Sequence, residues 1–424
     1  MTSRLAPPVL LYLAALLLPI RFTLGPLQMT SLRLFLLIMI VPLLIAVFKR
    51  ASPLKPIDLT LCAFVAWMAV AMSQTSPDHA IENTGAVGLE LLGGYLIARL
   101  YICNRAQMTA LAKLLIALVA LSIPLAVFES ATGRAPMIEL LRALPGVSSV
   151  AIVDIAPRLG LERAQVMFAH PIHYGLFASS VVALAFVGLR DAHLNWRLLG
   201  LSAGILCSFF ALSSGAFLSV LLQLFLIGWL LCFGPKRSAW LALVAVCVVA
   251  YILIDLASNR SPIRVFFSYA TFSAHNAYWR GIIFEWGMVN VAQNPIFGLG
   301  LNDWVRPAFM RSGSMDNFWL VIAVRFGVPG FALLAGAYLW GLVRVSRSQV
   351  AAMDQPLKRA WLICFTGLTF TLCTVHIWTS VFSYVFFLFG AGLWMLEAQQ
   401  DEGAPATKPL RQVPRYTRFP QVPV

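Results

Sequence analysis

The run from Ser238 to Ala257 reads SAWLALVAVCVVAYILIDLA and holds a single charged residue, Asp255. An apolar run of this length is sufficient for one helix to cross the hydrocarbon core of a bilayer. Similar runs occur at residues 8–26, 32–48, 57–75, 84–102, 108–128, 170–190, 197–213, 215–233, 317–344, 358–377 and 379–397. We therefore predict an all-α polytopic membrane protein with about twelve transmembrane helices.

The overall composition agrees with this fold class. Hydrophobic residues make up 60% of the chain and charged residues 11%, with a mean hydropathy of +0.83, whereas soluble domains carry about 25% charged residues. Basic cytoplasmic loops and anionic lipid explain much of the net charge of +14, so we infer no nucleic-acid partner. We expect residues 1–400 to form one transmembrane domain and residues 401–424 to form a disordered cytoplasmic tail.

The distribution of basic residues predicts the orientation, because cytoplasmic loops retain Lys and Arg during insertion. With both termini in the cytoplasm, every lysine falls on the cytoplasmic side and the outer half carries only arginine. The lysines are Lys49, Lys55, Lys113, Lys236, Lys358 and Lys408. Two interpretations stay open: arginine tolerates the membrane interface better than lysine, or the planar guanidinium groups bind phosphate oxygens in a bidentate manner.

Two outer segments, at residues 129–169 and 258–316, exceed the usual length of a connection, and long ordered loops usually carry function. The first holds a stretch from Pro136 to Leu144 that predicts a short amphipathic helix. The second holds Asn276 to Gln293, whose spacing of aromatic and aliphatic residues predicts an amphipathic helix in the outer interface. The sequence NPIFGLGLN that follows predicts a tight turn. The expected architecture is GT-C-like.

The second segment concentrates arginine and contains no lysine, which indicates a site for a phosphorylated, membrane-held substrate. Its arginines are Arg260, Arg264, Arg280, Arg306 and Arg311. Arg325 lies about nine residues into the next apolar run, and a charge at that depth tends to line a cavity. Gly327 and Pro329 favour a break in the helix beside it. A structural ion pair and snorkelling to the interface are the alternatives for Arg325.

Asp316 ends this arginine-rich segment. A carboxylate among several arginines stays ionised and can accept a proton from an attacking hydroxyl group. The alternative is that Asp316 only caps the helix that follows it. Aromatic faces such as Trp304 and Trp319 are candidates for stacking on sugar rings or for anchoring at the interface.

The first segment contributes Arg158, Arg163 and His170, which we predict to form a polar rim above the sixth helix. Their hydrogen bonds go either to a substrate or to the loop itself. His170 and His173 have the spacing of metal ligands, but no third ligand follows at a convincing distance. We therefore expect no metal.

The order of short motifs along residues 150–345 resembles the family of O-antigen ligases and O-antigen polymerases, which are bacterial membrane glycosyltransferases. The motifs are Arg158 and Arg163 with Phe168-Ala-His-Pro, then Leu212-Ser-Ser-Gly-Ala, then Arg280 with Asn294-Pro-Ile-Phe-Gly-Leu-Gly-Leu, and finally Asp316-Asn317 with Gly327 and Gly330. Members of that family take a saccharide from undecaprenyl pyrophosphate on the periplasmic side of the inner membrane and pass it to another glycan or to lipid A core, without a metal.

The resemblance implies candidate site residues. It places Arg158, Arg163, Arg280 and Arg306 among pyrophosphate-binding positions. The full set of candidate substrate-binding residues is Arg158, Arg163, His170, Arg260, Arg264, Arg280, Arg306, Asn317 and Arg325, with Asp316 as the catalytic base and no cofactor. Ligases of the family often have His-Asn where this chain has Asp316-Asn317, and this departure favours a polymerase.

Our leading hypothesis is a polymerase of lipid-linked O-antigen or exopolysaccharide repeat units, acting by metal-independent inverting glycosyl transfer. The partners it implies are an undecaprenyl-pyrophosphate-linked oligosaccharide, an acceptor glycan and the bilayer, with chain-length regulators or export proteins as further candidates. The alternatives are a ligase to lipid A core, a lipid-linked glycan flippase or transporter, and a non-catalytic partner of a glycan synthase.

Overall fold

Our computed structural model of the protein describes residues 4–25, 27–49, 54–258, 274–310 and 312–397. Helices dominate this part of the chain, as predicted. They are α1 (Pro7–Leu17), α2 (Ser31–Lys49), α3 (Pro56–Thr75), α4 (Ala80–Tyr101), α5 (Arg105–Thr132), α6 (Pro136–Arg142), α7 (Pro171–Gly188), α8 (Leu194–Phe210), α9 (Ser214–Phe233), α10 (Arg237–Ala257), α11 (Ala274–Gln293), α12 (Phe318–Arg347), α13 (Gln355–Leu372) and α14 (Thr379–Gly392). The last turn of α7 is π-helical, and 3₁₀ turns precede α4 and follow α14.

Eight helices of the described ranges are long and apolar enough to cross a membrane: α2, α3, α5, α7, α9, α10, α12, and α14 with its 3₁₀ extension. Two more, α1 and α8, are apolar but shorter. These helices define a multi-pass membrane protein. The count of twelve spans and the orientation of the termini stay predictions, and the tail at residues 401–424 lies outside the described residues.

The first apolar run departs from the prediction. Helix α1 ends at Leu17, and the run then contains strand β1 (Ile20–Leu24), which pairs with β2 (Leu27–Thr30) just beyond the run. A proline at position 19 cannot continue the helical hydrogen bonds, and the alternation of Ile20, Arg21, Phe22, Thr23 and Leu24 has the period of a strand. The fold is therefore not purely α-helical.

Strand β1 also binds the first long segment. The short strand β3 (Ser148–Ser149) pairs with β1, which gives a sheet with the order β2-β1-β3. The hydroxyl group of Ser149 donates to the backbone oxygen of Pro19 at 2.5 Å. This small sheet fixes the middle of residues 129–169 against the N-terminal part of the chain.

Close packing of α4 against α14 forms the centre of the bundle. A Cβ atom at Gly390 would lie 2.5 Å from the backbone oxygen of Tyr95, and one at Gly94 would lie 2.7 Å from that of Ser383. Small residues of this kind let two helices in a membrane approach closely. The hydroxyl groups of Tyr12 and Ser383 share a hydrogen bond of 3.0 Å at the same contact and join α1 to α14.

Buried charges inside the bundle form ion pairs between helices. Arg33 on α2 contacts Glu90 on α4 at 2.7 Å, and Arg99 on α4 contacts Glu397 after α14 at 2.7 Å. A charge in an apolar surrounding requires a partner of this kind. These ion pairs therefore explain why Glu90 and Arg99 are found inside the bundle.

Both predicted amphipathic helices are present, as α6 in the first long segment and α11 in the second. Helix α11 lies against the start of α12. Ile283 is buried there, and Trp279 and Trp286 pack against a cluster that includes Val321 and Val324. Helix α11 of the second long segment is thus fixed to the helix that follows it.

Candidate functional site

A cavity of about 380 Å³ opens at one end of the bundle, where the start of α7, the second long segment, α12 and the α13–α14 loop meet. Its wall contains both charged and neutral polar side chains. Those relevant to chemistry are His170, Asp303, Asp316, Arg325, His376 and Trp378. The structure thus brings together three of the predicted site residues, His170, Asp316 and Arg325, although they are far apart in the sequence.

Asn317, and not Asp316, caps helix α12. The Asn317 side chain accepts a hydrogen bond from the backbone N–H of Leu320 at 3.1 Å. The carboxylate of Asp316 accepts a hydrogen bond from the hydroxyl group of Ser314 at 3.0 Å and lines the cavity. Asp316 is therefore not needed as the cap. We predicted that Asn317 binds substrate, but its side-chain oxygen is used to cap the helix.

Helix α12 is broken beside Arg325, as predicted. Gly327 has a φ of 72° and a ψ of 179°, which lie outside helical geometry. Backbone N–H groups of Leu299 and Gly300 donate to the oxygens of Val324 and Arg325 at 2.7 and 3.0 Å, and that of Val328 donates to Pro295 at 2.8 Å. The turn after α11 therefore provides the hydrogen bonds that the break removes, and Arg325 is held at the cavity wall.

The glycines at this position allow the backbone of the turn to approach the backbone of α12 closely. A Cβ atom at Gly298 would lie 2.5 Å from the Val324 oxygen, and a Cβ at Gly327 would collide with the Ile296 oxygen. Gly298 and Gly300 also have φ values of 70° and 60°, a region that disfavours side chains. The pair of glycines in the sequence GLG is thus explained without any role in phosphate binding.

The first long segment is fixed by Glu129, a buried residue near the end of α5. Its carboxylate accepts hydrogen bonds from the backbone N–H groups of Gln165 and Val166 at 2.9 and 2.8 Å. The side-chain amide of Gln165 donates in turn to the oxygens of Ala151 and Phe168. These bonds hold the part of the loop that carries Arg163 and His170.

Arg158 and Arg163 both lie in this loop but differ in their contacts. Arg158 donates to the backbone oxygen of Leu212 at 2.7 Å, at the joint between α8 and α9. The Nε atom of Arg163 is buried and has no hydrogen-bond partner among the described residues. Burial, followed by the charge of Arg158, lowers the pKa of Arg163 to about 10. It therefore remains a cation at neutral pH and its burial favours an anionic partner.

His170 caps α7 and also lines the cavity. Its Nδ1 atom accepts a hydrogen bond from the backbone N–H of Ile172 at 3.1 Å. Burial, together with the nearby charge of Arg163, lowers the pKa of His170 to about 4. The ring is therefore neutral at pH 7, and with Nδ1 as an acceptor it carries its proton on Nε2, which is a hydrogen-bond donor.

Arg280 and Arg306 differ in how far they are available to a ligand. Burial lowers the pKa of Arg280, and the charge of Asp316 partly offsets this effect, so the two groups lie within electrostatic range. Arg306 forms an ion pair with Asp303, donates to the oxygen of Met310 and lies 5.7 Å from the ring centre of Trp304. Its guanidinium group thus organises its own loop.

Arg260, Arg264 and Arg311 lie outside the described residues. Of the two tryptophans considered for stacking, Trp304 is buried in the cavity wall and donates to the oxygen of Gly313 at 3.0 Å, while Trp319 packs against Tyr338 in the core. Within the described ranges, no group of three or more His, Cys, Asp and Glu side chains could hold a metal ion.

His376 and Trp378 line the cavity although they were not among the predicted site residues. The predicted eleventh run extended to residue 377, whereas α13 ends at Leu372 and residues 373–378 form a loop. The polar residues in LCTVHIWTS, between two strongly apolar stretches, are the signal that could have located this loop. Asp303 was also missed as a cavity residue.

Fold and cavity together define a multi-pass helical membrane protein with a polar site at one end of its bundle, flanked by half-buried arginines. Residues 198–335 match the model of the O-antigen ligase family. This match confirms the resemblance over roughly a third of the chain, including Arg280, Asp316 and Arg325, and supports a membrane enzyme of the O-antigen ligase type. No match is found among curated proteins.

Proposed function

We propose that the protein polymerises lipid-linked glycan repeat units on the periplasmic face of the bacterial inner membrane. The observation that carries this proposal is Asp316: a carboxylate that does not cap its helix, lines a cavity, and lies within electrostatic range of Arg280. Arg325 lines the same cavity. A carboxylate close to several cations combines a candidate base with the positive charge that transfer from a pyrophosphate donor needs.

In the proposed reaction, an acceptor sugar hydroxyl attacks the anomeric carbon of the sugar attached to undecaprenyl pyrophosphate. A C–O bond to the acceptor forms, the C–O bond to the pyrophosphate breaks, and the hydroxyl proton goes to Asp316. The departing pyrophosphate takes the electron pair. Arg163, Arg280 and Arg325 stabilise the negative charge that develops on it, an effect that is strong where water is excluded.

Asp303 is the competing carboxylate at the cavity. Its side chain is 70% exposed and forms an ion pair with Arg306, and the hydrogen bond from Arg306 lowers the pKa of Asp303. A carboxylate with a lowered pKa is a weaker base, and this one already organises a loop. Asp316 is therefore the better candidate.

The base assignment is tested by comparing Asp316→Asn with Asp303→Asn in purified protein that is supplied with an undecaprenyl-pyrophosphate-linked oligosaccharide. We expect Asp316→Asn to reduce turnover at least about 100-fold, in the range for loss of a general base, and Asp303→Asn to reduce it far less. Normal turnover by Asp316→Asn would show that Asp316 is not the base. Loss of turnover only in Asp303→Asn would assign that role to Asp303.

The acceptor is tested by the glycan phenotype of a deletion strain. Single repeat units on lipid A indicate loss of a polymerase, and full-length polymer left on the lipid carrier indicates loss of a ligase. Lipid-linked repeats trapped on the cytoplasmic face indicate loss of a flippase. We expect the first result, because Asp316 stands where ligases of the family often have histidine.

A further inference from the structure

The loop at residues 373–378 brings an uncharged surface into the cavity, and the proposed chemistry gives it no role. His376 and Trp378 both line the cavity. The ring of His376 lies 6.3 Å from that of Phe318 at an interplanar angle of 18°, and 5.6 Å from that of Trp378 at 29°. Imidazole and indole rings thus form one wall of the cavity next to the start of α12.

The backbone holds this wall in a defined position. Val375 donates to the oxygen of Thr371 at 2.9 Å and accepts a hydrogen bond from the N–H of Phe318 at 3.0 Å. Thr379, directly after Trp378, has a φ of 49°. A β-branched residue in this region is strained, and strain of this kind persists mainly where function requires a particular geometry.

His376 has hydrogen-bonding capacity that the protein does not use. Its Nδ1 atom is buried and has no hydrogen-bond partner among the described residues. Burial, together with the charge of Arg325, lowers the pKa of His376 to about 3, so the ring is neutral at physiological pH. A neutral imidazole offers one donor and one acceptor, which suits a hydroxyl group better than a phosphate.

Trp378 provides the apolar part of the wall. Trp378 is a large aromatic residue, yet it is 36% exposed where it lines the cavity. The ring of His173 lies 4.0 Å from it at an interplanar angle of 62° and supports it from inside the bundle. The face of a pyranose ring carries C–H groups that pack on an indole, while its edge carries hydroxyl groups.

We propose that His376 and Trp378 form a subsite for the first sugar of the donor, the pyranose ring bonded to the pyrophosphate. The subsite lies beside Arg325, so a pyrophosphate bound at Arg325 places the adjoining sugar against this wall. His376 hydrogen-bonds a ring hydroxyl group and Trp378 packs on the ring face. This inference rests on the proposed function, since it divides the same cavity into a charged part and a neutral part.

Binding of two lipid probes to purified protein in nanodiscs tests the subsite. One probe is undecaprenyl pyrophosphate, and the other is undecaprenyl pyrophosphate that carries a single sugar. We expect His376→Ala and Trp378→Ala to weaken binding of the sugar-bearing probe about tenfold, as for loss of one hydrogen bond or one aromatic contact. Both variants are expected to bind the sugar-free probe within about twofold of the wild type.

Two further variants separate the subsite from a general effect on folding. Trp378→Phe keeps an aromatic face and is expected to lose only about threefold in affinity for the sugar-bearing probe. Trp340→Ala removes an exposed tryptophan of α12 and is expected to bind both probes normally. Thermal unfolding of each variant is measured in parallel, so that a loss of binding is compared among folded proteins only.

Equal losses for the two probes would overturn the subsite, and so would the absence of any loss in His376→Ala and Trp378→Ala. Wild-type protein that binds the two probes equally well would also overturn it, while leaving the proposed function intact. Wild-type protein that binds neither probe would overturn the proposed function and the subsite with it.

Discussion

Arg163 is a half-buried cation whose Nε atom is buried and has no hydrogen-bond partner in the described part of the chain. Burying such a group without a partner is costly, so it is expected to gain a bond when an anion binds. We predict that Arg163→Gln lowers kcat/KM for the lipid-linked donor about tenfold or more. Steady-state kinetics of the purified variant measure this change.

Two comparisons sharpen the Arg163 prediction. Arg163→Lys keeps the charge but loses the planar fork of donors, so its kcat/KM is expected to fall between the wild type and Arg163→Gln. Arg134→Gln is the control, because Arg134 is 69% exposed and pairs with Glu139 in the same long segment. If the Arg134 and Arg163 variants were equally active, Arg163 would have no part in binding the donor.

The roles of neighbouring residues show the limit of sequence reasoning at this scale. A helix start and a carboxylate were both visible at Asp316-Asn317, but which side chain caps the helix depends on the conformation of residues 314–317, where Asn317 takes that role. In the same way, the sequence did not distinguish Arg306 from the other arginines. Its ion pair with Asp303 shows that it stabilises its own loop.

Backbone hydrogen bonds join the broken helix α12 to the turn that follows α11, so the two form one structural unit. We predict that Gly298→Ala destabilises the protein by about 3 kcal/mol or more, because the new methyl group meets the backbone at Val324 and Arg325 in addition to the cost of a positive φ. The midpoint of thermal unfolding in detergent measures the effect.

Gly146→Ala is the matched control for this prediction. Gly146 has a φ of 74°, close to that of Gly298, but no atom lies within 4 Å of the position of its Cβ. Its substitution is expected to cost about 1 kcal/mol, from backbone conformation alone. If the two variants unfolded at the same temperature, the close approach of the turn to α12 would not contribute to stability.

Glu129 connects α5 to the loop of Arg163 and His170 through two backbone hydrogen bonds. In Glu129→Gln, the amide nitrogen faces one of the two N–H groups and leaves it without an acceptor. We predict a KM for the donor raised about fivefold, with kcat reduced less, because the loop positions arginines without touching the reacting atoms. Initial-rate kinetics separate the two parameters.

Glu139→Gln provides the comparison for Glu129, since Glu139 lies in the same long segment and pairs with the exposed Arg134. It is expected to leave both kinetic parameters close to those of the wild type. An unchanged KM in Glu129→Gln, with the protein folded, would exclude a positioning role for Glu129.

Most helices could be predicted from the sequence because an apolar run of sufficient length has few alternatives in a bilayer. Where a run ends was harder to predict. Residues 20–24 and 27–30 form paired strands, and residues 373–378 leave the helix. The hydrogen bonds that stabilise these two regions come from Ser149 and Phe318, which are distant in the chain. His376 and Trp378, the cavity residues that were not predicted, lie in the second of these regions, the loop at residues 373–378.

At the scale of the whole molecule, the cavity lies at the end of the bundle where α12 and α14 begin and α13 ends. In the predicted orientation this end faces the periplasm, and the lysines face the cytoplasm. A donor that carries a pyrophosphate and a long polyprenyl chain reaches such a site from the bilayer, so the orientation determines which leaflet supplies the substrate. The location of the site is therefore a direct test of the proposed function.

Cysteine accessibility measures this orientation. Cys103 lies between α4 and α5 and is exposed, and Ser312 is an exposed residue near the cavity mouth. In a variant whose other cysteines are replaced by serine, we predict that Cys103 reacts with a membrane-impermeant maleimide only after the inner membrane is disrupted. A Ser312→Cys variant without Cys103 is predicted to react in intact spheroplasts. The opposite pattern would place the cavity in the cytoplasm, where a periplasmic polymerase cannot act.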